Sequence, residues 1–587
     1  MVVSSAPGTA SPIASGSARF ADLIEDARAT RRREIDDLLA RLRTNKDAWV
    51  RLEMPERLSL VDEVRRTFIS IGDRWVASEV EAKGLAPQTL GEGEEWAGMA
   101  TIHRAIRVLR KSLSEIEALG QPRVPGRITE RPDGQVVARA FPLSAWDRSL
   151  FLGVTGEVWM EPGVSAEEVI AGQAAAYKDP ERKGAVSLVL GAGNASFLPV
   201  CDVLHKLFVE LQVVVLKPNP VNAHLGPLME EGFRALIDRG FLAIVYGGAE
   251  EGAYLSSHPK VEELHVTGSD KTFEAVVFGT GPQGAQRKAD RRPLMTKRFT
   301  GELGNVSPVI IVPGPWKLGD IEEQAKQLAT WLTVNTGFAC LAPRVLIQHR
   351  SWKLREPLMD AVGGQLARTP PRPAYYPGAR DRHAEFLEAH PEARLFGETG
   401  TDELPWTLIP DVDPGASEDI CFKREAFCGL FAETGLEAPD VTTFIDQAVD
   451  LANDTLWGTL SATILVHPKS LRDPNIASAV ERAISNLRYG TVSLNLLTFY
   501  SAYFMGTPWG GFPGSDIYDV QSGIGKNFNF LMFDGAQKSV VRAPFKRLDP
   551  LTVTSKRPVE FGQRLAAFEA APSLKKFPGL IYTALRA

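Results

Sequence analysis

Short apolar segments alternate with amphipathic ones in the middle of the chain, and this pattern restricts the possible folds more than any other feature. The β-branched segments GAVSLVLG (residues 184–191), VVVLKP (213–218) and LAIVYGG (242–248) are separated by stretches whose apolar residues recur at helical spacing. Parallel strands need long connections, usually helices, so the alternation predicts a parallel sheet with crossover helices. We therefore predict a dinucleotide-type α/β domain over residues 164–304.

Six further segments are predicted around this domain. Residues 21–121 show helical periodicity, and residues 122–163 are rich in β-branched and aromatic residues broken by proline and glycine, which indicates an extended arm or a hairpin. A second α/β region is predicted over residues 305–505, with strands such as SPVIIVPG and the helix IEEQAKQLATWLTV. The other three are a flexible tail (1–20), a return to the first α/β domain and the arm (506–545), and a C-terminal extension without a clear place in either sheet (546–587).

The composition argues against several classes of protein. The formal net charge is −6 and no basic patch stands out, so nucleic acid is not an expected partner. The four cysteines are too few for a disulfide framework and lack the paired spacing of a zinc site, which favours reduced thiols in a cytoplasm and no metal. We also expect no signal peptide, because the N-terminal residues show no basic start followed by an apolar core. No stable membrane insertion is expected either, because no apolar run approaches the ~18 residues of a membrane span.

The glycine turn after the first of these strands is GAGNAS, residues 191–196. It matches the first two glycines of the dinucleotide pattern G-x-G-x-x-G but has Ser196 where the third belongs. The next strand ends in Lys217 rather than in a carboxylate that would hold a ribose hydroxyl. These residues alone leave three possibilities open: a cofactor phosphorylated at that ribose, a different use of the fold, or a turn without a ligand.

Eight sequence blocks occur in a fixed order between about residues 186 and 525. They are GNASFLPV, VVVLKPNP, VTGSDKT, FTGELGNVSPVII, NTGFACLAPRVLI, KREAFCGLFA, NDTLWGTLSATI and PWGGF…SGIG. Together these blocks resemble the aldehyde dehydrogenase superfamily, and the resemblance covers more than half of the chain. It implies an aldehyde-dehydrogenase-like α/β fold, with a Rossmann-type cofactor domain, an α/β catalytic domain and an oligomerisation arm.

The resemblance implies a catalytic role for three residues. Cys340 stands three residues after Gly337, as the family's nucleophile does, and the chemistry needs a thiolate that attacks a carbonyl and later leaves from a thioester. Glu302 matches the general base, and Asn194 matches the amide that forms the oxyanion hole with the backbone N–H of the nucleophile. The residues alone also fit a buried small thiol, a surface carboxylate and a helix-capping amide.

The resemblance also implies NAD or NADP as cofactor, with NAD slightly preferred. Lys217 matches the lysine that holds the adenosine ribose, and Gly268 and Ser269 match a pair at a helix start, where backbone amides suit the pyrophosphate. Pro220 replaces a glutamate that would bind the adenosine 2′-hydroxyl, so nothing at this position repels a 2′-phosphate.

At the nicotinamide end, Glu425 matches the glutamate that grips the ribose hydroxyls, and Phe427 matches the aromatic residue beside it. The adjacent charged residues Lys423 and Arg424 leave a charged surface loop as the competing interpretation. Gly193 takes the place of the family's usual tryptophan, which removes an indole from the cofactor side and leaves a more open turn.

Several positions depart from the family pattern. Asn305 replaces a glycine, and its side chain is expected to crowd the neighbouring backbone. Cys428 and Gly429 replace a glycine-proline pair, and Phe338 replaces a glutamine beside the nucleophile. Asp202, in the helix after the glycine turn, is expected to place a carboxylate near the mouth of the substrate tunnel.

The predicted function is NAD(P)-dependent oxidation of an aldehyde to a carboxylic acid through a cysteine thiohemiacetal and thioester. A coenzyme A-acylating aldehyde dehydrogenase and a non-catalytic scaffold remain the alternatives. The arm (122–163) resembles the family's oligomerisation hairpin, whose exposed edge would pair with a second subunit. We therefore expect a homodimer or homotetramer that acts on a small-molecule aldehyde.

Overall fold

The computed structural model describes residues 29–587, so the predicted flexible tail (1–20) and the first residues of the predicted helical segment lie outside the described residues. The strands are β1 Ile128–Glu130, β2 Val136–Phe141, β3 Thr155–Met160, β4 Val186–Leu190, β5 Val213–Lys217, β6 Leu242–Ile244, β7 Glu263–Thr267, β8 Arg298–Glu302, β9 Ser307–Ile311, β10 Pro343–His349, β11 Arg394–Phe396, β12 Trp406–Ile409, β13 Leu430–Leu436, β14 Ser461–Leu465, β15 Thr491–Leu494, β16 Gly523–Ile524 and β17 Ala536–Arg542.

The helices of the first half are α1 Arg32–Arg51, α2 Met54–Ala82, α3 Leu90–Leu119, α4 Ala145–Leu150, α5 Ala166–Gly172, α6 Ala175–Lys178, α7 Phe197–Phe208, α8 Gly226–Gly232, α9 Arg234–Asp238, α10 Ala249–Ser257, α11 Asp270–Phe278 and α12 Gly281–Ala289. Those of the second half are α13 Leu318–Thr333, α14 Arg355–Arg368, α15 Ala379–Ala389, α16 Ile420–Lys423, α17 Val441–Asp454, α18 Pro474–Asn486, α19 Phe499–Phe504, α20 Pro558–Ala570 and α21 Phe577–Ala584.

The smaller sheet has the order β16-β8-β7-β4-β5-β6, and all of its pairs are parallel except β16 with β8. Its central strands are apolar on both faces because helices cover both sides. The strands and the crossover pattern predicted from the sequence are therefore confirmed. The stretch LGPLMEEGFRALIDRG (residues 225–240), between the strand segments 213–218 and 242–248, has an apolar spacing that predicts a single helix. This prediction is wrong, because the helix breaks at Phe233, whose φ of −102° and ψ of 13° separate α8 from α9.

The larger sheet has the order β1-β2-β3-β17-β15-β14-β9-β10-β13-β12-β11 within the described residues. Strands β9, β10 and β12 to β15 form its parallel centre, while the strands of the arm join antiparallel to β17. The short strand β1 forms one edge, and its pairing with a second copy stays a prediction. Within residues 29–587, no helix combines the length and the apolar character that a membrane crossing requires.

The C-terminal extension forms the helices α20 and α21, and α20 packs closely against α3. Glycines allow this approach: a Cβ on Gly93 would lie 2.7 Å from the Cβ of Pro558, and one on Gly562 would lie 2.5 Å from that of Trp96. The extension therefore adds to the N-terminal helical layer, a position that the sequence did not reveal.

A buried ionic network anchors α20. The fully buried Arg104 on α3 donates to Asp147 at 2.9 Å and to Glu569 at 3.0 Å. Arg107 also pairs with Glu569, and the Tyr503 hydroxyl donates to it at 3.0 Å. A buried charge that loses its partner is strongly destabilising, so this network holds the extension in place.

We expect Glu569→Gln to loosen the C-terminal helices, because it removes the carboxylate charge that Arg104 and Arg107 share. Loss of one partner from a buried pair costs about 3–5 kcal/mol. Limited trypsin cleavage of an opened segment follows the free energy of opening, so release of the extension should become at least about 100-fold faster.

The matched control is Glu560→Gln on the same helix, since Glu560 makes only solvent-accessible pairs with Arg557 and Arg564. Its effect should stay within about 1 kcal/mol, which corresponds to less than a tenfold change in rate. Equal cleavage rates for the two variants would contradict the anchoring role of Glu569.

Candidate active site

A cavity of about 1550 Å³ opens at the carboxyl ends of the parallel strands of the smaller sheet and reaches the larger domain. Ligands of open α/β sheets bind in this position. All nine residues predicted from the sequence line the cavity: Gly193, Asn194, Lys217, Gly268, Ser269, Glu302, Cys340, Glu425 and Phe427. The structure thus brings them together, and their chemical roles remain proposals.

The thiol and the carboxylate are in direct contact at the inner end of the cavity. Glu302 ends strand β8, Cys340 precedes strand β10, and Cys340 Sγ donates to Glu302 Oε1 at 3.1 Å. Burial raises the pKa of Glu302 to about 7. Burial and the neighbouring carboxylate together raise the pKa of the Cys340 thiol well above its usual value. The resting pair is therefore a neutral thiol beside a carboxyl group that titrates near neutrality.

A tryptophan that the sequence analysis did not single out holds the same carboxylate. Trp509 Nε1 donates to Glu302 Oε1 at 3.1 Å, and Trp509 is itself buried. This hydrogen bond favours the ionised form of Glu302 and so opposes the effect of burial on its pKa. The only available signal was the PWGG block, in which an indole N–H is a buried donor that requires an acceptor.

The Asn194 amide lies between the glycine turn (residues 191–196) and the turn of residues 335–340, which we call the nucleophile turn after the role predicted for Cys340. Asn194 Nδ2 donates to the carbonyl oxygen of Phe338 at 2.9 Å. A side-chain amide carries two N–H groups, so this contact occupies one of them. The alternative of a helix-capping amide is not supported, because the N-cap of α7 is Ser196 and no side chain caps that helix end.

Arg344 joins the nucleophile turn to the loop that carries Glu425. The buried guanidinium donates to the carbonyls of Gly337 at 2.7 Å and Cys428 at 2.6 Å, and more weakly to those of Ala339 and Leu430. The sequence analysis missed this residue, although an arginine directly before the apolar run VLI (residues 345–347) implies a partner for its charge.

Residues at the outer part of the cavity suit a dinucleotide phosphate and ribose. Ser269 caps α11 by accepting from Thr272 N at 3.1 Å, and Gly268 N donates to Glu302 O at 3.0 Å, so the helix start is adjacent to Glu302. Lys217 ends strand β5, and burial lowers its pKa to about 8. A Cβ on Gly193 would lie 2.8 Å from Asn219 Cγ, which explains the glycine.

Glu425 is half-buried and lines the cavity near Glu302 and Cys340 rather than lying on a charged surface loop. A Cβ on Gly304 would lie 2.2 Å from Glu425 Oε2, so only glycine permits this position. Burial raises the pKa of Glu425 to about 7, and the nearby Arg344 opposes the shift. Among the described residues the buried Oε1 atom of Glu425 has no hydrogen-bond partner.

Phe338 replaces the family's glutamine and belongs to an aromatic cluster. Its fully buried ring lies 5.0 Å from Tyr375 in an edge-to-face arrangement, 5.6 Å from Tyr376 and 6.0 Å from Phe427. Phe427 itself has a φ of 44°. The cluster packs the nucleophile turn against the Glu425 loop, where a polar glutamine side chain would need its own partners.

Two sequence-based expectations are wrong. Asn305 does not crowd the backbone: its buried amide donates to Ser307 Oγ at 2.8 Å and to Ser461 O at 2.9 Å, so it ties β9 to β14. Asp202 does not reach a tunnel mouth, because it is fully buried and accepts from Thr267 Oγ1 at 2.9 Å.

Within residues 29–587, the side chains of His390, Asp419 and Cys421 form a group of metal-ligand type outside the cavity. His390 Nε2 lies 3.1 Å from Asp419 Oδ1, and His390 Nδ1 lies 2.8 Å from Glu392. Asp419 Oδ1 also accepts from Cys421 N at 2.8 Å.

The fold and the site together define a two-sheet α/β protein with a thiol–carboxylate pair at the inner end of a cavity of dinucleotide type. Comparison with known proteins agrees with this description. A sequence model of the aldehyde dehydrogenase family matches residues 197–367. Over 318 residues the chain is 28% identical to aminoacetaldehyde dehydrogenase of Pseudomonas aeruginosa, which covers 51% of this chain and 57% of that relative.

Two further similarities extend over more of the chain. It is 24% identical over 422 residues to D-glyceraldehyde dehydrogenase (NADP(+)) of Thermoplasma acidophilum, which covers 67% of this chain and 75% of the relative. The crystal structure of Mycobacterium tuberculosis aldehyde dehydrogenase complexed with NAD+ superposes with a TM-score of 0.58 at 19% identity, over 87% of this chain and 89% of that one. The family-model match, the relatives and the shared fold support the resemblance to the aldehyde dehydrogenase superfamily that the sequence blocks predicted.

We expect alkylation of Cys340 by iodoacetamide to depend on Glu302. Below pH 7 Glu302 is protonated and cannot accept the thiol proton, so the rate should rise through about pH 7. In Glu302→Gln this inflection should disappear, and alkylation should require the higher pH at which the thiol ionises alone. Mass spectrometry of the Cys340 peptide measures the rate, and the buried Cys201, Cys421 and Cys428 serve as internal controls.

Trp509→Phe tests the Cys340–Glu302 pair by changing the pKa of Glu302 while keeping its carboxylate. The substitution keeps an aromatic ring and removes the indole N–H that donates to Glu302. The inflection should move to a higher pH than in the wild type, since the ionised carboxylate loses a hydrogen bond. An unchanged pH profile in both Glu302→Gln and Trp509→Phe would show that the carboxylate does not control the thiol.

Proposed function

We propose that the protein oxidises an aldehyde to a carboxylic acid with NAD or NADP as acceptor. The observation that carries the proposal is the 3.1 Å contact between Cys340 Sγ and Glu302 Oε1 at the inner end of the cavity. A nucleophile paired with a carboxyl group that titrates near pH 7 suits covalent catalysis with proton transfer. The alignments cover only part of the relatives' lengths, so activity and substrate are proposals here.

The residues present fit a nicotinamide dinucleotide. The unpartnered buried Oε1 of Glu425 suits a hydroxyl of the nicotinamide ribose, and the N-terminus of α11 at Ser269 suits the pyrophosphate. Lys217 at the end of β5 would hold the adenosine ribose. When bound, the nicotinamide supplies the acceptor for a hydride.

The chain's own residues would carry the chemistry in two halves. Glu302 accepts the thiol proton as Cys340 Sγ bonds to the carbonyl carbon, and the resulting oxyanion is held by the second N–H of Asn194 and the Cys340 backbone N–H. Loss of hydride from this carbon leaves a thioester on Cys340. Glu302 releases the thiol proton to solvent and then takes a proton from water as the water oxygen attacks the thioester, so that the carboxylic acid leaves and the thiolate is regenerated.

Of the alternatives, a coenzyme A-acylating reaction would pass the thioester to another thiol and would not require a base at Glu302. The contact of Glu302 with Cys340 supports hydrolysis instead. A scaffold without activity gives no reason for a buried, nearly neutral carboxyl group beside a thiol.

The function is tested with a panel of aldehydes assayed separately with NAD and NADP, with and without coenzyme A. We expect reduction of the nicotinamide cofactor without coenzyme A. If the folded protein binds a cofactor and oxidises no aldehyde, the proposal fails. Turnover that depends on coenzyme A would replace hydrolysis by the acylating reaction.

Two variants should separate the halves of the reaction. Cys340→Ala removes the nucleophile, so it should lose both the burst of reduced cofactor and steady turnover. Glu302→Gln should retain a slowed burst of at most one reduced cofactor per active site, with steady turnover at least about 100-fold lower because water is no longer activated. Stopped-flow absorbance at 340 nm, the absorption band of reduced nicotinamide, distinguishes burst from steady state. A full steady rate in Glu302→Gln would contradict the assignment.

The form of the cofactor is tested at Lys217. Pro220 supplies no carboxylate near the adenosine ribose, and the buried ammonium of Lys217 offers a cation to a 2′-phosphate. We expect Lys217→Ala to raise the Kd of NADP at least about tenfold and that of NAD by a smaller factor, since only NADP loses a charge-assisted contact. Equal losses for the two cofactors would show that Lys217 contacts only the shared ribose.

A further inference from the structure

The first three residues of the nucleophile turn all have left-handed backbone conformations. Asn335, Thr336 and Gly337 have φ angles of 48°, 59° and 79°. Non-glycine residues rarely adopt this conformation, and a β-branched threonine does so at a particular cost. Such a segment persists only where surrounding contacts hold it.

Asn335 makes most of these contacts. Its backbone N–H donates to Glu94 Oε2 at 3.0 Å, and its side-chain Nδ2 donates to the Asn194 carbonyl at 2.7 Å and to the Phe338 carbonyl at 3.1 Å. Arg372 holds Glu94 in turn at 2.7 Å. The nucleophile turn is therefore tied both to α3 and to the glycine turn that carries Asn194.

Tyr375 completes the connection between the two turns. Its hydroxyl lies 2.9 Å from the Asn194 carbonyl and 2.8 Å from Asn335 Oδ1, so two acceptors share one donor. Its ring packs edge-to-face on Phe338 and lies 5.3 Å from the Lys83 ammonium. Tyr375 is fully buried and belongs to none of the eight sequence blocks.

The two asparagines exchange hydrogen bonds across the site. The Asn194 amide donates to the backbone of the nucleophile turn, and the Asn335 amide donates to the backbone at Asn194. The amide group of Asn194 is planar, so the hydrogen bond of one N–H to Phe338 O also fixes the direction of the second N–H. Preset orientation of a donor is what makes an oxyanion hole effective.

We propose that Tyr375 and Asn335 are positioning residues that set the direction of the Asn194 amide toward the oxyanion formed at Cys340. The inference rests on the proposed function, because it assumes that Asn194 stabilises that oxyanion. Tyr375 acts through the Asn194 carbonyl and through Asn335, and it touches no reacting atom itself.

Two reagents distinguish positioning of the amide from general disturbance of the turn. p-Nitrophenyl acetate acylates a thiolate through a tetrahedral oxyanion and expels nitrophenolate, whereas iodoacetamide alkylates it by direct displacement of iodide without one. Neither reagent needs a nicotinamide cofactor. The ratio of the two rates at Cys340 therefore reports stabilisation of the oxyanion.

We expect Tyr375→Phe to slow acylation at least about tenfold and to leave alkylation within about twofold of the wild type. The matched control is Tyr489→Phe, which also removes one buried hydroxyl that donates to a backbone carbonyl, that of Ala452 at 2.8 Å, far along the chain from both turns. Its ratio of rates should equal that of the wild type.

Coupling to Asn194 provides a second readout. If Tyr375 acts through Asn194, the Tyr375→Phe change should slow acylation by less than about twofold in an Asn194→Ala background. Full additivity overturns the proposal, as do an unchanged acylation rate in Tyr375→Phe and a parallel fall in both rates. A wild type that is acylated by the ester but oxidises no aldehyde would refute the proposed function and leave this inference standing.

Discussion

The hydrogen bond between Cys340 and Glu302 spans the two sheets of the molecule, and the arrangement of the site depends on it. Glu302 ends a strand of the smaller sheet, whereas Cys340 precedes a strand of the larger one. Burying a carboxylate is costly unless it is paired, and here the only donors that reach Oε1 in the described residues are the thiol and the Trp509 indole. Burial raises the pKa of Glu302 to about 7, and these two hydrogen bonds oppose the shift.

Contacts from several directions determine where the thiol lies. Ser307, the first residue of strand β9, donates from Oγ to the Cys340 carbonyl at 3.2 Å. Arg344 binds the nucleophile turn to the loop of Glu425. Asn335 binds the same turn to Asn194. Cys340, Asn194 and the loop of Glu425 therefore share supports, and these supports form a continuous set of packed and hydrogen-bonded neighbours through which the three positions can be coupled.

The parallel sheet could be predicted from a local pattern, because a buried parallel strand must be apolar on both faces. The nine cavity residues were predicted from the resemblance of the eight ordered blocks to a known family, since the residues alone left other interpretations open. Trp509 and Arg344 stand in two of these blocks and Tyr375 in none. Their importance was missed because a buried donor shows its role only through its partner, which the sequence does not reveal. The prediction for Asp202 was wrong for the same reason. Its helix could be predicted from the sequence, but the Thr267 hydroxyl that binds the Asp202 carboxylate in the interior belongs to strand β7, far away along the chain.

The C-terminal extension is linked to the nucleophile turn through α3. Gly93 and Gly562 let α20 lie almost against the first turns of α3, and the residue after Gly93 is Glu94, whose carboxylate accepts the Asn335 N–H. At the far end of α20, Glu569 is held by Arg104 from a later turn of α3. The helix that presents Glu94 is thus fixed at two points by a segment outside the eight sequence blocks. Because the left-handed turn needs external support, this extension contributes to the geometry of the site without approaching it.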